Sequence, residues 1–143
     1  MSETREEKLS YPQGMVPDWK NGSLAEGLAC YRKGEFFEAH EAWEEVWLAL
    51  HQPEKGFLQA LIKCAAAMHH MRRGNLVGAL SHLRKVQRKL EEYPLEFFGV
   101  NVDALRIDVA NCIEDIEHGV RDGAVHVPKI YVVDESEQAE NHR

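Results

Sequence analysis

Tyr31-Arg32-Lys33-Gly34 is followed by Phe36, Ala39 and Trp43; forty residues on, Met71-Arg72-Arg73-Gly74 is followed by Leu76, Ala79 and Leu83. In each copy a run of helix formers meets a glycine, the residue that most readily takes the left-handed conformation ending a helix. A second helix then starts, with alanine where two helices must approach closely. A chain punctuated this way is constrained to antiparallel helical hairpins, and two stacked hairpins bury a shared face that neither can bury alone. The alternative is that any two antiparallel helices joined by a glycine turn look alike, without a true repeat.

The remaining punctuation extends the pattern. Ser23 with Glu26 has the spacing of a capping box, so a first helix is predicted from about 23 to 33. Others follow over about 35–50, 53–73 (ending at Gly74), 76–92 (capped by Asn75, closed by Pro94) and 102–118 (ending at Gly119). Residues 1–22 read as an irregular arm whose aromatics, Tyr11 and Trp19, dock on the body. Residues 120–143 read as an extended segment, with Val125, Val127, Ile130 and Val132 in strand-like alternation before a polar tail. The predicted fold is all-α: a bundle of about five helices over 23–119, built from two stacked hairpins of the tetratricopeptide kind, with extended terminal arms. A chain of 143 residues is one domain's worth of core.

Charge and cysteines narrow the function classes. The net charge is −7, which disfavours nucleic-acid or anionic-membrane binding by bulk charge. Cys30, Cys64 and Cys112 are far apart and read as reduced thiols of a cytoplasmic protein. The first ten residues contain no apolar run, so no secretory signal is expected. The longest apolar stretch, Phe57 to Met71, is interrupted by Gln59, Lys63 and two histidines and is too short to span a bilayer. There is no glycine-rich phosphate loop and no nucleophile elbow.

Polar residues fall where a core is expected. On a wheel of the second helix, His40 and Glu44 lie inside a broad apolar arc, between Trp47 and Phe37 and four residues apart on one face. Glu41 lies at the arc's edge. A buried carboxylate needs a partner, so Glu44 should have one. On the third helix Gln59, Lys63 and His70 share a narrow strip that an antiparallel hairpin could bring to His40 and Glu44, while His69 sits among Leu58 and Ile62. Three readings stay open: a satisfied buried network, a ligand pocket between Trp43, Trp47 and Phe37, or a metal site. His40-Glu41-Ala42-Trp43-Glu44 differs from the zinc-peptidase pattern by placing Glu44 where its second histidine belongs. Asp115 and His118 form another pair with ligand spacing.

Charge is also segregated along the chain. Gly34 to Glu54 holds six glutamates and no Lys or Arg; Arg72 to Lys89 holds six basic residues and no acid. The expectation is a solvated basic face that complements the acidic helix, with docking of an acidic partner or RNA backbone as the alternative.

The run Gly34-Glu35-Phe36-Phe37-Glu38-Ala39-His40-Glu41-Ala42-Trp43-Glu44-Glu45-Val46-Trp47 resembles a bacterial and archaeal helical family, the domain of unknown function numbered three hundred and nine, whose signature is F-x-E-A-H-E followed by Glu and Trp. Phe57 to Lys63, Ala65–Ala67, His70, Gly74-Asn75 and Ala79 continue the similarity, which covers about residues 24–93. It implies a helical bundle of two hairpins and points at His40, Glu41, Glu44, Gln59 and His70. Ala60 stands where the family often has Gly, and Lys63 where it often has Gln; a charged Lys63 favours pairing with Glu44. The expected function is a non-catalytic helical module binding a ligand or protein through a buried His/Glu cluster, with no cofactor. The alternative is a metal-dependent, hydrolase-like enzyme with His40, Glu44 and His70 holding a divalent ion and Glu41 as general base. A protein partner or a homodimer is expected; the homodimer rests on Trp19, Tyr31 and Val125–Val133, for which the alternative is that they cover the chain's own core.

Overall fold

A computed structural model describes residues 16–133. Five helices carry the fold: α1 (Gly22–Arg32), α2 (Phe36–Trp47), α3 (Glu54–Arg72), α4 (Leu76–Leu90) and α5 (Val102–Glu117). α1 packs on α2, α2 on α3, α3 on α4, and α4 on α5. Twelve of the nineteen residues of α3 are buried, because α2 and α4 cover it from two sides. None of the helices described is long and apolar enough to cross a membrane.

The forty-residue echo is repeated in the hydrogen bonds. Gly34 N–H donates to Tyr31 O (3.1 Å) and Glu35 N–H to Cys30 O (2.8 Å); Gly74 N–H donates to Met71 O (3.0 Å) and Asn75 N–H to His70 O (2.8 Å). Both glycines have φ near +80° (83° and 81°). This is one helix-ending motif used twice, each copy satisfying two carbonyls that the helix leaves free. Ala39 with Trp43, and Ala79 with Leu83, are then fully buried at equivalent places. Asn75 caps α4 as predicted, its Oδ1 accepting from Gly78 N–H at 2.9 Å.

The capping box does not form. α1 starts at Gly22, its N-cap Asn21 makes no side-chain cap, and Ser23 Oγ donates to Glu45 Oε1 of α2 at 3.2 Å. Asp18 Oδ1 instead accepts from the N–H groups of Lys20 and Asn21, a local turn that competes with the cap. α2 also ends earlier than predicted, at Trp47.

A short hairpin, β1 (Glu96–Phe97) with β2 (Val100–Asn101), joins α4 to α5. Its turn, Phe98-Gly99, has φ of 55° and 75°. A phenylalanine in that region is strained, and Trp19 holds it: the Nε1–H donates to Phe98 O (2.8 Å) and the indole meets the phenyl ring edge-on at 6.1 Å. The N-terminal arm thus docks through Trp19; Tyr11 lies outside the described residues.

The C-terminal alternation produces a single bridge, Val132 to Val100, rather than a sheet. Tyr31 OH donates to Pro128 O at 2.6 Å. Asp115 accepts from His126 N–H (2.7 Å) and Asp108 from Lys129 N–H (2.9 Å). Val125, Ile130 and Val132 are buried on the chain's own body. Cys64 and Cys112 are free and buried; burial pushes the Cys112 thiol up to about 12 and the Cys64 thiol higher still.

Candidate functional site

α3 is central but not sealed. Gln59, Lys63, Ala66 and His70 recur at helical spacing on its one partly open strip. α2 flanks that strip with Phe37, His40 and Glu44, and α4 with His82, Lys85 and Lys89.

At the α2 side, His40 Nε2 lies 3.4 Å from Glu44 Oε2, with the two side chains 30% and 53% exposed. The Phe37 ring sits 6.2 Å from His40 and 5.5 Å from His69. Across the strip, the rings of His70 and His82 stack at 5.3 Å and 13°. Asn75 Nδ2 lies 3.2 Å from His70 Nδ1. An amide NH2 only donates, so Nδ1 accepts and the His70 proton sits on Nε2. His82 is held below the ordinary histidine range, first by burial and then by His70, Lys63, Lys85 and His40.

Farther along, α3 and α4 part to leave a groove of about 200 Å³ lined by Gly56, Gln59, Ala60, Lys63, Lys85, Val86 and Lys89. Ala60 and Val86 form its buried floor. Lys89 Nζ contacts Glu92 Oε1 at the rim (3.1 Å).

These positions correct the expected buried cluster. Phe37 and Leu48 are 47% and 71% exposed, so α2 buries a narrower face than its apolar residues suggest, and His40, Glu41 and Glu44 stay outside it. The buried acid among the described residues is Glu54, 7% exposed, whose carboxyl burial pushes up. Lys63 does not pair with Glu44; it faces the α4 lysines. His40, Glu44 and His70 do not converge, and among the described residues no group of three or more His, Cys, Asp or Glu is placed to hold a metal ion. Asp115 and His118 are not a ligand pair either: Asp115 holds the C-terminal arm, and His118 Nδ1 contacts Glu114 O at 2.8 Å. The basic residues of α4 do not complement α2; Arg84 pairs with Glu117 of α5. Nothing in the motif pattern singles out His82 or brings Lys85 and Lys89 to the site. Their signal was positional: 82, 85 and 89 recur along one flank of α4, as 59, 63 and 70 do on α3.

Packed helical hairpins with a partly open polar strip define a small all-α helical protein. Residues 24–82, from α1 to the middle of α4, match the model of the family described as "Domain of unknown function (DUF309)". An uncharacterized protein of Aquifex aeolicus (strain VF5) is 30% identical over 84 residues, which are 58% of this chain and 25% of that protein. The match spans about a quarter of that relative's length.

Proposed function

We propose that this chain is a non-catalytic binding module whose recognition face is the strip shared by α2, α3 and α4. The observation that carries it is the groove between α3 and α4, open to solvent, with His40, His70 and His82 partly exposed on α2, α3 and α4. A second cleft, of about 300 Å³ between Tyr31 and the arm at 127–131, supports a structural role instead. Its Tyr31 hydroxyl and Arg32 guanidinium already donate to Pro128 O and Ile130 O. Trp19, Tyr31 and the buried residues of 125–133 pack on the chain's own core, so the proposal for a partner rests on the strip.

The test is a set of neutral fragments titrated into ¹⁵N-labelled protein. Saturable shifts should gather on residues 37–44, 59–70 and 78–89. Shifts gathered on the Tyr31 cleft, or scattered over the surface, would overturn the assignment.

A further inference from the structure

We propose that the α3–α4 groove is a site for a diphosphate group, with Lys63, Lys85 and Lys89 supplying positive charge and Gln59 an amide donor. This rests on the recognition face above and names the chemistry it takes.

Three ammonium side chains line one groove of a protein whose net charge is −7. No carboxylate of the described residues lines it. Among the described residues, Lys63 and Lys85 make no ion pair. Lys89 meets only Glu92, whose side chain is 61% exposed; an exposed pair of this kind is worth little and is readily exchanged. Like charges gathered over one space repel, and a bound anion relieves that repulsion. The field extends past the groove, since Lys63 and Lys85 both act on His82 to disfavour its charged form.

The geometry sets the size and the class. Gly56 closes one end, and a Cβ there would come within 3.0 Å of Lys89 Cε and 2.7 Å of the Tyr93 hydroxyl; its absence makes room for the Lys89 stem against α3. The volume, about 200 Å³, is below the ~300–1,000 Å³ of drug-sized sites, which suits a compact anion. A single carboxylate carries one charge and leaves the other ammoniums unanswered. A diphosphate carries several charges and enough acceptor oxygens for three compact, rotatable ammonium donors, the way lysine recognises phosphate.

The experiment titrates inorganic pyrophosphate into the full chain at low salt, read by calorimetry and by amide shifts. Saturable binding tighter than ~1 mM is expected, with shifts at 56–63 and 85–89 and weakening as salt is raised. The double variant Lys63→Gln, Lys85→Gln should lose about tenfold or more in affinity. Arg84→Gln removes a cation paired with Glu117 outside the groove and should leave binding unchanged. A nucleoside diphosphate arm separates sources: equal affinity assigns the free anion, tighter affinity an organic diphosphate, and both support the site. No saturation, or an equal loss in Arg84→Gln, overturns it. Neutral fragments that still saturate on the strip would then leave the recognition face standing, while silence to both overturns the face as well.

Discussion

His82 shows how one side chain reports the charge around it. Its ring is half-buried, stacked on His70 and faced by Lys63 and Lys85, so the neutral form is favoured in the folded protein. A histidine whose folded pKa lies below its unfolded value of ~6.5 binds more protons when unfolded. Its stabilising share is therefore fully present above that value and is lost as pH falls through the lowered folded value. Urea unfolding between pH 8 and pH 5 should show stability falling toward acid, with a shallower fall in His82→Gln. Parallel profiles for the two proteins would show that burial and neighbouring cations do not act on this ring. Removing Lys63 and Lys85 together should also make the wild-type histidine easier to protonate, because the two lysine charges acting on it are gone.

At the scale of elements, the α1–α2 hairpin depends on a contact between a glycine and a tryptophan. Trp43 is fully buried, its Nε1–H donates to Leu24 O at 3.1 Å, and a Cβ at Gly27 would overlap the indole. Gly27→Ala adds a methyl group where there is no space, so the gain in helix propensity is outweighed. A loss of about 1–3 kcal/mol, the usual result of overpacking, is expected in denaturant unfolding; an unchanged midpoint would mean the hairpin opens freely there. The turn at Gly34 and its copy at Gly74 were legible in the chain, because a helix-ending glycine acts through local geometry. The role of Gly27 was not, since it comes from a partner helix. The same difference explains α2. Its residues are apolar enough for a wide buried arc, but α1 and α3 cover only the face that carries Phe36, Ala39 and Trp43, and hydrophobicity alone does not say which face a neighbour covers. His40 and Glu44 consequently lie nearer solvent than the apolar pattern of α2 predicts. Lys85 and Lys89 read as solvated because α4's buried stripe at Ala79, Leu83, Val86 and Leu90 leaves them outside; that they close a groove depends on where α3 parts from α4.

For the whole molecule, the terminal arms act as a strap over the helices. Trp19 clamps the Phe98-Gly99 turn, and the C-terminal segment crosses α1 and α5 through Tyr31, Asp108 and Asp115. The strap also extends the hairpin: Asn101 N–H donates to Tyr131 O, and Val133 N–H to Gly99 O, each at 2.9 Å. Ile130, 2% exposed, is its apolar anchor. Truncating a buried isoleucine to alanine costs ~2–5 kcal/mol, a large part of the ~5–15 kcal/mol that holds a domain together. Ile130→Ala should therefore lower the melting temperature clearly. Its sedimentation coefficient at micromolar concentration should match the parent's, because the segment packs on its own chain. A shift from a larger species to a smaller one in that variant would instead place 125–133 in a subunit interface. Stability lost without any change in assembly ties the arm to the helices it crosses, and leaves the strip of α2, α3 and α4 as the face free to meet something else.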